Sequence, residues 1–334
     1  MRRLLFLLVL GTAIWSGYWF IGSSALRQGA EQWFADQSAR GITAEKTALA
    51  VRGFPNRFDL TVEGLRLIDP QTGMGWEAPF AQIFAMTWKP WHIIAALPPE
   101  QTVRLPDQEI AITSDGLLAS LRARPATDLP LAAVVVESGA IRAMSSQGWT
   151  AAVEKVVASV RAVDGQASAY DLALDVAGLA PDPAQMARLT AETDLPGTVS
   201  VIHLLARATL TAPLDRHAGE SQPQIAALDL TEALVTWGQL SISAKGGIAP
   251  DAEGFAAGRI DIDVTNWDRL VQVLVASGAI KPELAPTVQN MLAALANEGG
   301  DPSVLKLPLV FAGGRMSLGP LPLGPAPMLM TPTG

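Results

Sequence analysis

The sequence predicts a mainly β protein of the α+β kind: an elongated, curved antiparallel meander sheet with a few packed helices, preceded by one N-terminal transmembrane helix. Three observations carry this reading. Leu4 to Gly22 contain no ionisable side chain except Tyr18, apolar and polar residues alternate with period two beyond Phe54, and Gly, Pro and Asp clusters interrupt that alternation at short intervals.

The first element follows from length. About 19 apolar positions at ~1.5 Å of rise reach roughly 28 Å, close to the ~30 Å hydrocarbon core of a bilayer. Arg2 and Arg3 hold the N-terminus in the cytoplasm by the positive-inside rule. Residues 1–22 are therefore expected to anchor the chain in the inner membrane as a single pass, with the C-terminal domain in the periplasm. A cleaved signal peptide is the alternative, with Ser23-Ser24-Ala25 as small residues at the cleavage site. The run is longer than a signal core and ends in Trp15, Tyr18, Trp19 and Phe20, which suit a membrane interface and favour a retained anchor.

Residues 23–41 read as an amphipathic juxtamembrane helix. Leu26, Ala30, Trp33, Phe34 and Gln37 fall at helical spacing until Gly41 ends the pattern. This stripe has two possible fates, joining the domain core or lying on the lipid surface.

A β-rich periplasmic body follows over residues 42–318. Phe58, Leu60 and Val62 alternate with Asp59, Thr61 and Glu63, and past Gly64 the apolar set continues in shifted phase as Leu65 and Leu67, which predicts a bulge. Further strands are expected at Ala81 to Trp88, Glu109 to Thr113, Leu131 to Glu137, Ala158 to Val163, Tyr170 to Ala177 and Val199 to Leu210. Asp69-Pro70, Pro98-Pro99, Ser114-Asp115-Gly116 and Asp164-Gly165 supply turns. A short helix is expected near Gln185 to Leu189. Arg216 to Pro223 is the most polar stretch, a linker or exposed loop at which the body would divide if it were two halves; similar strand patterns on both sides favour one elongated body.

Leu240, Ile242 and Ala244 and then Ile260, Ile262 and Val264 form the two arms of a hairpin around Pro250 to Gly254. A helix from about Trp267 to Ser277 is expected to be capped by Thr265 or Asn266, and Pro286 suits the first turn of another that ends at Gly299-Gly300. Lys306 to Phe311 and Arg315 to Leu318 close as a hairpin around Gly313-Gly314. Residues 319–334 form a proline-rich tail that can be neither helix nor central strand.

Composition narrows the function. Charged residues are 17% and apolar residues 49% of the chain, which excludes a disordered polyelectrolyte. The net charge is −8, and −10 for the part beyond Arg2 and Arg3, so binding of nucleic acid through a basic field is not expected. With no cysteine, thiol chemistry and Cys-based zinc sites are excluded.

His92, His203 and His217 have no metal-site spacing, and no phosphate-binding loop or nucleophile elbow is present. Asp261 and Asp263 share one strand face, as paired carboxylates or as part of a solvated Arg-Asp-Asp-Thr row with Arg259 and Thr265. Trp88-Lys89-Pro90-Trp91-His92 can anchor a corner of the core, line an apolar groove or dip towards lipid. No catalytic, cofactor-binding or metal residue is assigned, no cofactor is expected, and a non-enzyme is expected.

Gly53-Phe54-Pro55-Asn56-Arg57-Phe58-Asp59, Gly64-Leu65, Trp76 with Ala78-Pro79, and Trp88-Lys89-Pro90 with His92, following the anchor, resemble the opening of the domain of unknown function 2125 family of alphaproteobacterial envelope proteins. Trp237-Gly238, Gly246-Gly247, Asn266-Trp267 and the closing Gly319 to Pro327 segment resemble its later parts. The resemblance implies an envelope protein and no particular chemistry. The layout is more loosely similar to AsmA-like proteins, which would imply an apolar sheet face that shelters lipid. The expected function is binding or sheltering a lipid or other apolar ligand in envelope maintenance. The alternative is a structural or assembly factor docking onto another envelope protein, through a sheet edge or the tail; a hydrolase with a dispersed site is a third reading.

Overall fold

The computed structural model describes residues 1–331, so Pro332 and the end of the proline-rich tail lie outside the described residues. With 49% strand and 24% helix the chain is mainly β, and the named strands below pair antiparallel. Two compact units are present: Met1–Pro125 with Val134–Trp149, and Ala126–Ala133 with the chain from Thr150 onward. Residues 216–223 lie inside the second unit.

The first unit opens with helix α1, Arg2–Ala39, in which the apolar run and the juxtamembrane stripe form one uninterrupted helix of 38 residues. Nothing in its sequence breaks it, since it has no proline and is rich in Leu and Ala. Gly41, at φ +86°, turns the chain away at its end. Trp19, Ser23 and Phe34 are its buried residues, and Leu26, Ala30 and Phe34 of the juxtamembrane stripe pack on the sheet, while Trp33 stays exposed.

Strands β1 (Thr43–Glu45) and β2 (Ala48–Arg52) pair with the two ends of β3 (Arg57–Ile68), and β4 (Gly75–Met86) pairs along its other side. Beyond β4 the pairing forks: β5 (Lys89–Ala96) takes the Gln82–Met86 half and β6 (Glu100–Leu105) takes Gly75–Glu77. Then β7 (Gln108–Ser114) pairs with β6 and β8 (Leu118–Ala123) with β5. After β9 (Leu131–Ser138), β10 (Ile141–Ser145) returns to β7.

The phase slip at Gly64 is real but takes a different form from the bulge expected. Glu63 faces Phe80 and Leu65 faces Ala78, so Gly64 lies opposite Pro79 and the two strands keep one register. Gly64 sits at φ +58°, and a Cβ there would lie 2.6 Å from Thr47 Cγ2. Pro79 has no N–H to offer a ladder, so both strands change phase at the same point. Strand β4 begins before the Ala81 to Trp88 run expected and ends at Met86, two residues short of it, because Thr87 and Trp88 make the turn into β5.

In the second unit, β11 (Thr150–Val153) leads to β12 (Lys155–Ala162) and β13 (Ala169–Leu179). Helix α2 (Pro183–Thr193) follows, longer than the segment expected. Asp182 caps it, accepting from the N–H groups of Ala184 and Gln185, with Pro183 in the first turn. Next come β14 (Val199–Leu210), the single turn α3 (Ala218–Ser221), β15 (Ile225–Trp237), β16 (Leu240–Pro250) and β17 (Ala256–Thr265). Helices α4 (Trp267–Ala276) and α5 (Ala285–Glu298) precede β18 (Val304–Ala312), β19 (Arg315–Leu318) and β20 (Leu321–Pro325).

From β12 to β20 each strand pairs with the next, a meander without crossover. The tail supplies β20, which pairs with β19; its prolines confine it to that role. Asn266 precedes α4 at φ 55° and makes no capping bond; its Nδ2 instead donates to the Gln239 carbonyl at 2.7 Å. The core forms where α4 and α5 cover one sheet face, with Trp267, Val271, Leu292 and Ala296 against Leu240, Val264 and Leu305. Each such fully buried aliphatic side chain contributes about 1.5–3 kcal/mol.

Candidate functional site

The site begins with two neighbouring rows on α1. Ala25, Gly29 and Trp33 follow one another at intervals of four, as do Leu26, Ala30 and Phe34, so both rows look the same way. Phe34 and Leu26 reach the sheet. The small residues between them do not fill the space, and a Cβ built on Gly29 would meet no atom within 4 Å.

Opposite these rows, β3 presents Leu60, Val62, Leu65 and Leu67, and β4 presents Trp76, Ala81 and Ile83. The shared phase slip at Gly64 and Pro79 keeps both strands' apolar residues turned to the helix along their whole length. A cavity of about 600 Å³ results, completed by Gln82, Ala95 and Leu97. The Gln82 side-chain amide donates to the Thr61 hydroxyl oxygen at 3.4 Å. No charged side chain lines the cavity. At the Phe34 end, the Lys46 ammonium lies 4.3 Å over the Phe34 ring and 2.8 Å from Glu31, so its charge stays paired outside. Trp33 (45% exposed) and Ile83 leave the cavity open to the outside.

What holds the helix at this distance is a clamp of aromatic residues below the cavity. The Trp15 indole donates to the Pro55 carbonyl at 3.0 Å, the Tyr18 hydroxyl to the Thr87 carbonyl at 2.9 Å, and the Trp19 indole to the Arg57 carbonyl at 2.7 Å. Trp19 meets Phe54 edge-on and stacks on Phe58, and Phe20 stacks on Phe54. At Gly22 the helix lies tight against the sheet: a Cβ there would lie 2.6 Å from Phe58 Cζ.

The remaining candidates do not converge. His92 contacts the Ser120 hydroxyl at 3.1 Å, His203 pairs with Asp175 across β13 and β14, and His217 stands 3.9 Å from Asp128. Among the described residues no group of three His, Asp or Glu side chains could hold a metal ion. Asp261 pairs with Arg259 at 2.7 Å, and Asp263 sits between Ser243 and Lys306 in the ladder, which makes the row a charge-balanced outer face.

The shifted carboxyls are structural. Asp182 is held below the ordinary carboxylate range by N–H donors, first Thr150 and then Gln185. Asp69 is lowered by the Gln71 N–H and the Thr72 hydroxyl, and Asp301 by the hydroxyl and N–H of Ser303. The Trp88-Lys89-Pro90-Trp91 cluster does not build a core corner at its first residue, since Trp88 is 49% exposed at the β4–β5 turn.

The cavity was not legible in advance because every residue lining it also reads as ordinary core. Its one sequence signal is the small-residue row of Ala25 and Gly29 beside an aromatic, on a helix that must pack on a sheet.

Residues 19–327 match a family described as "Uncharacterized protein conserved in bacteria (DUF2125)". No curated protein and no solved structure matches the chain.

Proposed function

The chain belongs to this DUF2125 family, and from that footing we propose that it is a non-enzymatic, membrane-anchored envelope protein whose first unit shelters an acyl chain or similarly apolar ligand. The single observation behind this is the apolar cavity of about 600 Å³, a volume typical of ligand pockets, whose lining starts at Ala25, one turn beyond Gly22. Helix α1 is long and apolar enough to cross a membrane. With residues 1–22 in the inner membrane and the body in the periplasm, the cavity opens at the level where lipid chains leave the bilayer.

Three features support the reading. A lining without charge favours a ligand with no formal charge on the buried part. Trp15, Tyr18 and Trp19 pack and hydrogen-bond to the sheet, so removing the N-terminal segment would strip away folded contacts, which argues for a retained anchor. The three histidines and the lowered carboxyls of Asp69, Asp182 and Asp301 are engaged in pairs, turns and caps outside the cavity lining, which argues for sheltering over chemistry.

The test uses the full chain in nanodiscs with a trace of phospholipid carrying a photoactivatable diazirine at the end of one acyl chain. Adducts mapped to residues 25–34 and to 60–67 or 76–83 are expected. Adducts confined to residues 2–22 would overturn the proposal.

A further inference from the structure

We propose that the end of the sheet formed by the β2–β3 loop and the β4–β5 turn is a membrane-inserting tip, buried in the lipid interface beside α1. The argument rests on α1 spanning the bilayer and on where the helix is clamped. Trp15 already donates to Pro55, so the tip begins to contact the helix at Trp15. From Leu4 to Ile14 the helix offers only about 11 residues, or about 17 Å, against a hydrocarbon core of ~30 Å. The span must continue through Trp15 to Gly22, about 10 Å further, and over that stretch the tip is fixed to it. A sheet end clamped there enters the outer leaflet by about 5–10 Å, the depth at which interfacial segments lie.

The chemistry of the tip fits that depth. Backbone carbonyls in a loop are ordinarily left to water, and lipid offers no such partner. Here the Pro55, Arg57 and Thr87 carbonyls are satisfied by the three helix side chains. The Asn56 carbonyl receives both the Thr87 N–H (3.0 Å) and the Thr87 hydroxyl (3.1 Å), and the Gly53 carbonyl receives the Arg57 N–H at 2.8 Å. The large apolar side chains around this end face outward: Phe54 is 52% exposed, with Met86 and Trp88 close to half exposed.

The charges around it are Arg52, Arg57 and Lys89, with Asp59 bound to Arg57 at 2.6 Å. This locally basic rim on a chain of net charge −8 suits phosphate headgroups, and long Arg and Lys side chains reach back to them from a buried backbone. The occupant of this surface is thus the bilayer itself.

The chain has no cysteine, so single-cysteine variants give unique labelling sites. Full-length Trp88→Cys, Phe54→Cys, Val9→Cys and Met144→Cys are each labelled with an environment-sensitive dye in nanodiscs containing lipids with a doxyl quencher at the 5 or 12 position. Val9 lies inside the span on the side away from the tip and Met144, exposed on β10, marks water.

The expected result is a blue-shifted Trp88 label quenched at least twofold, more by 5-doxyl than by 12-doxyl lipid. The Val9 label is then quenched by the deep probe and the Met144 label by neither. A Trp88 label that behaves like Met144 while Val9 is quenched overturns the inserting tip and leaves the anchor standing. A blue-shifted Trp88 label that no doxyl lipid quenches overturns it as well, placing protein over the tip. An unquenched Val9 label removes the span itself, and the tip with it. Because Phe54 stacks on Trp19 and Phe20, the Trp88 label decides the matter if Phe54→Cys fails to fold.

Discussion

The Trp19 indole nitrogen donates to the backbone carbonyl of Arg57 at 2.7 Å, so a residue near the end of the apolar run is bonded to the first residue of β3. From that point helix and strand run side by side: Gly22 touches Phe58, and Leu26, Ala30 and Phe34 face Leu60, Val62 and Leu65. Helix α1 and the sheet are therefore one mechanical unit, with the apolar cavity held open between them.

Trp19→Phe keeps most of the ring packing and removes the donor. The Arg57 carbonyl then loses its partner in a partly buried setting, at a cost of about 1–2 kcal/mol, whereas Trp19→Ala costs about 3–5 kcal/mol through the cavity left behind. Thermal unfolding of the full chain in nanodiscs should rank wild type above Trp19→Phe above Trp19→Ala. Equal melting of wild type and Trp19→Phe would show that the bond contributes nothing.

Two glycines on α1 should respond in opposite ways. Gly22→Val drives a Cβ to within 2.6 Å of the Phe58 ring and is expected to destabilise by about 1–3 kcal/mol through overpacking. Gly29→Ala meets open space and gains about 0.5–1 kcal/mol of helix propensity. The same unfolding measurement checks both signs.

Gly29→Leu places an isobutyl group at the cavity wall. Photo-adducts of the chain-end diazirine lipid within residues 25–34 should fall at least fivefold with no loss of melting temperature, as read by peptide mass spectrometry. Unchanged labelling would mean that the chain does not occupy the space beside Gly29.

In the second unit, Tyr170 is 2% exposed and its hydroxyl accepts the Leu214 N–H at 2.7 Å. Tyr170→Phe strands that N–H and should cost about 1–3 kcal/mol in chemical denaturation, with the slope of the transition unchanged.

Asp182 ties the Thr150 N–H to the start of α2. Its folded pKa is depressed, so its contribution to stability is present above the ordinary aspartate value of about 3.9 and is lost as pH falls through the lower folded value. Melting temperature should drop on acidification below about pH 4. Asp182→Asn should melt lower than wild type at pH 7 and show a shallower drop, since the Asp182 contribution is then gone while those of Asp69 and Asp301 remain.

The elements that can be read locally are those with a strong period. The apolar run, the strands from Tyr170 to Leu210, the hairpin around Pro250 to Gly254 and the two helices beginning at Trp267 and near Pro286 depend on side-chain spacing alone. They form where their patterns place them, within a few residues. Short strands such as Thr43–Glu45 and Thr150–Val153 carry too little pattern to be seen, because their partners far along the chain define them.

By itself, the sequence determined a long apolar N-terminal helix, a meander of antiparallel strands, and the absence of thiol chemistry, because composition and periodicity act over a few neighbouring residues. Tertiary structure alone decided that the two N-terminal segments are one helix, that Gly64 and Pro79 slip phase together, and that Ala25 and Gly29 face Leu60 to Ile83 across an unfilled gap. A cavity is a relation between surfaces far apart in the chain. Each of its walls looks like core until the other wall is seen to stop short of it.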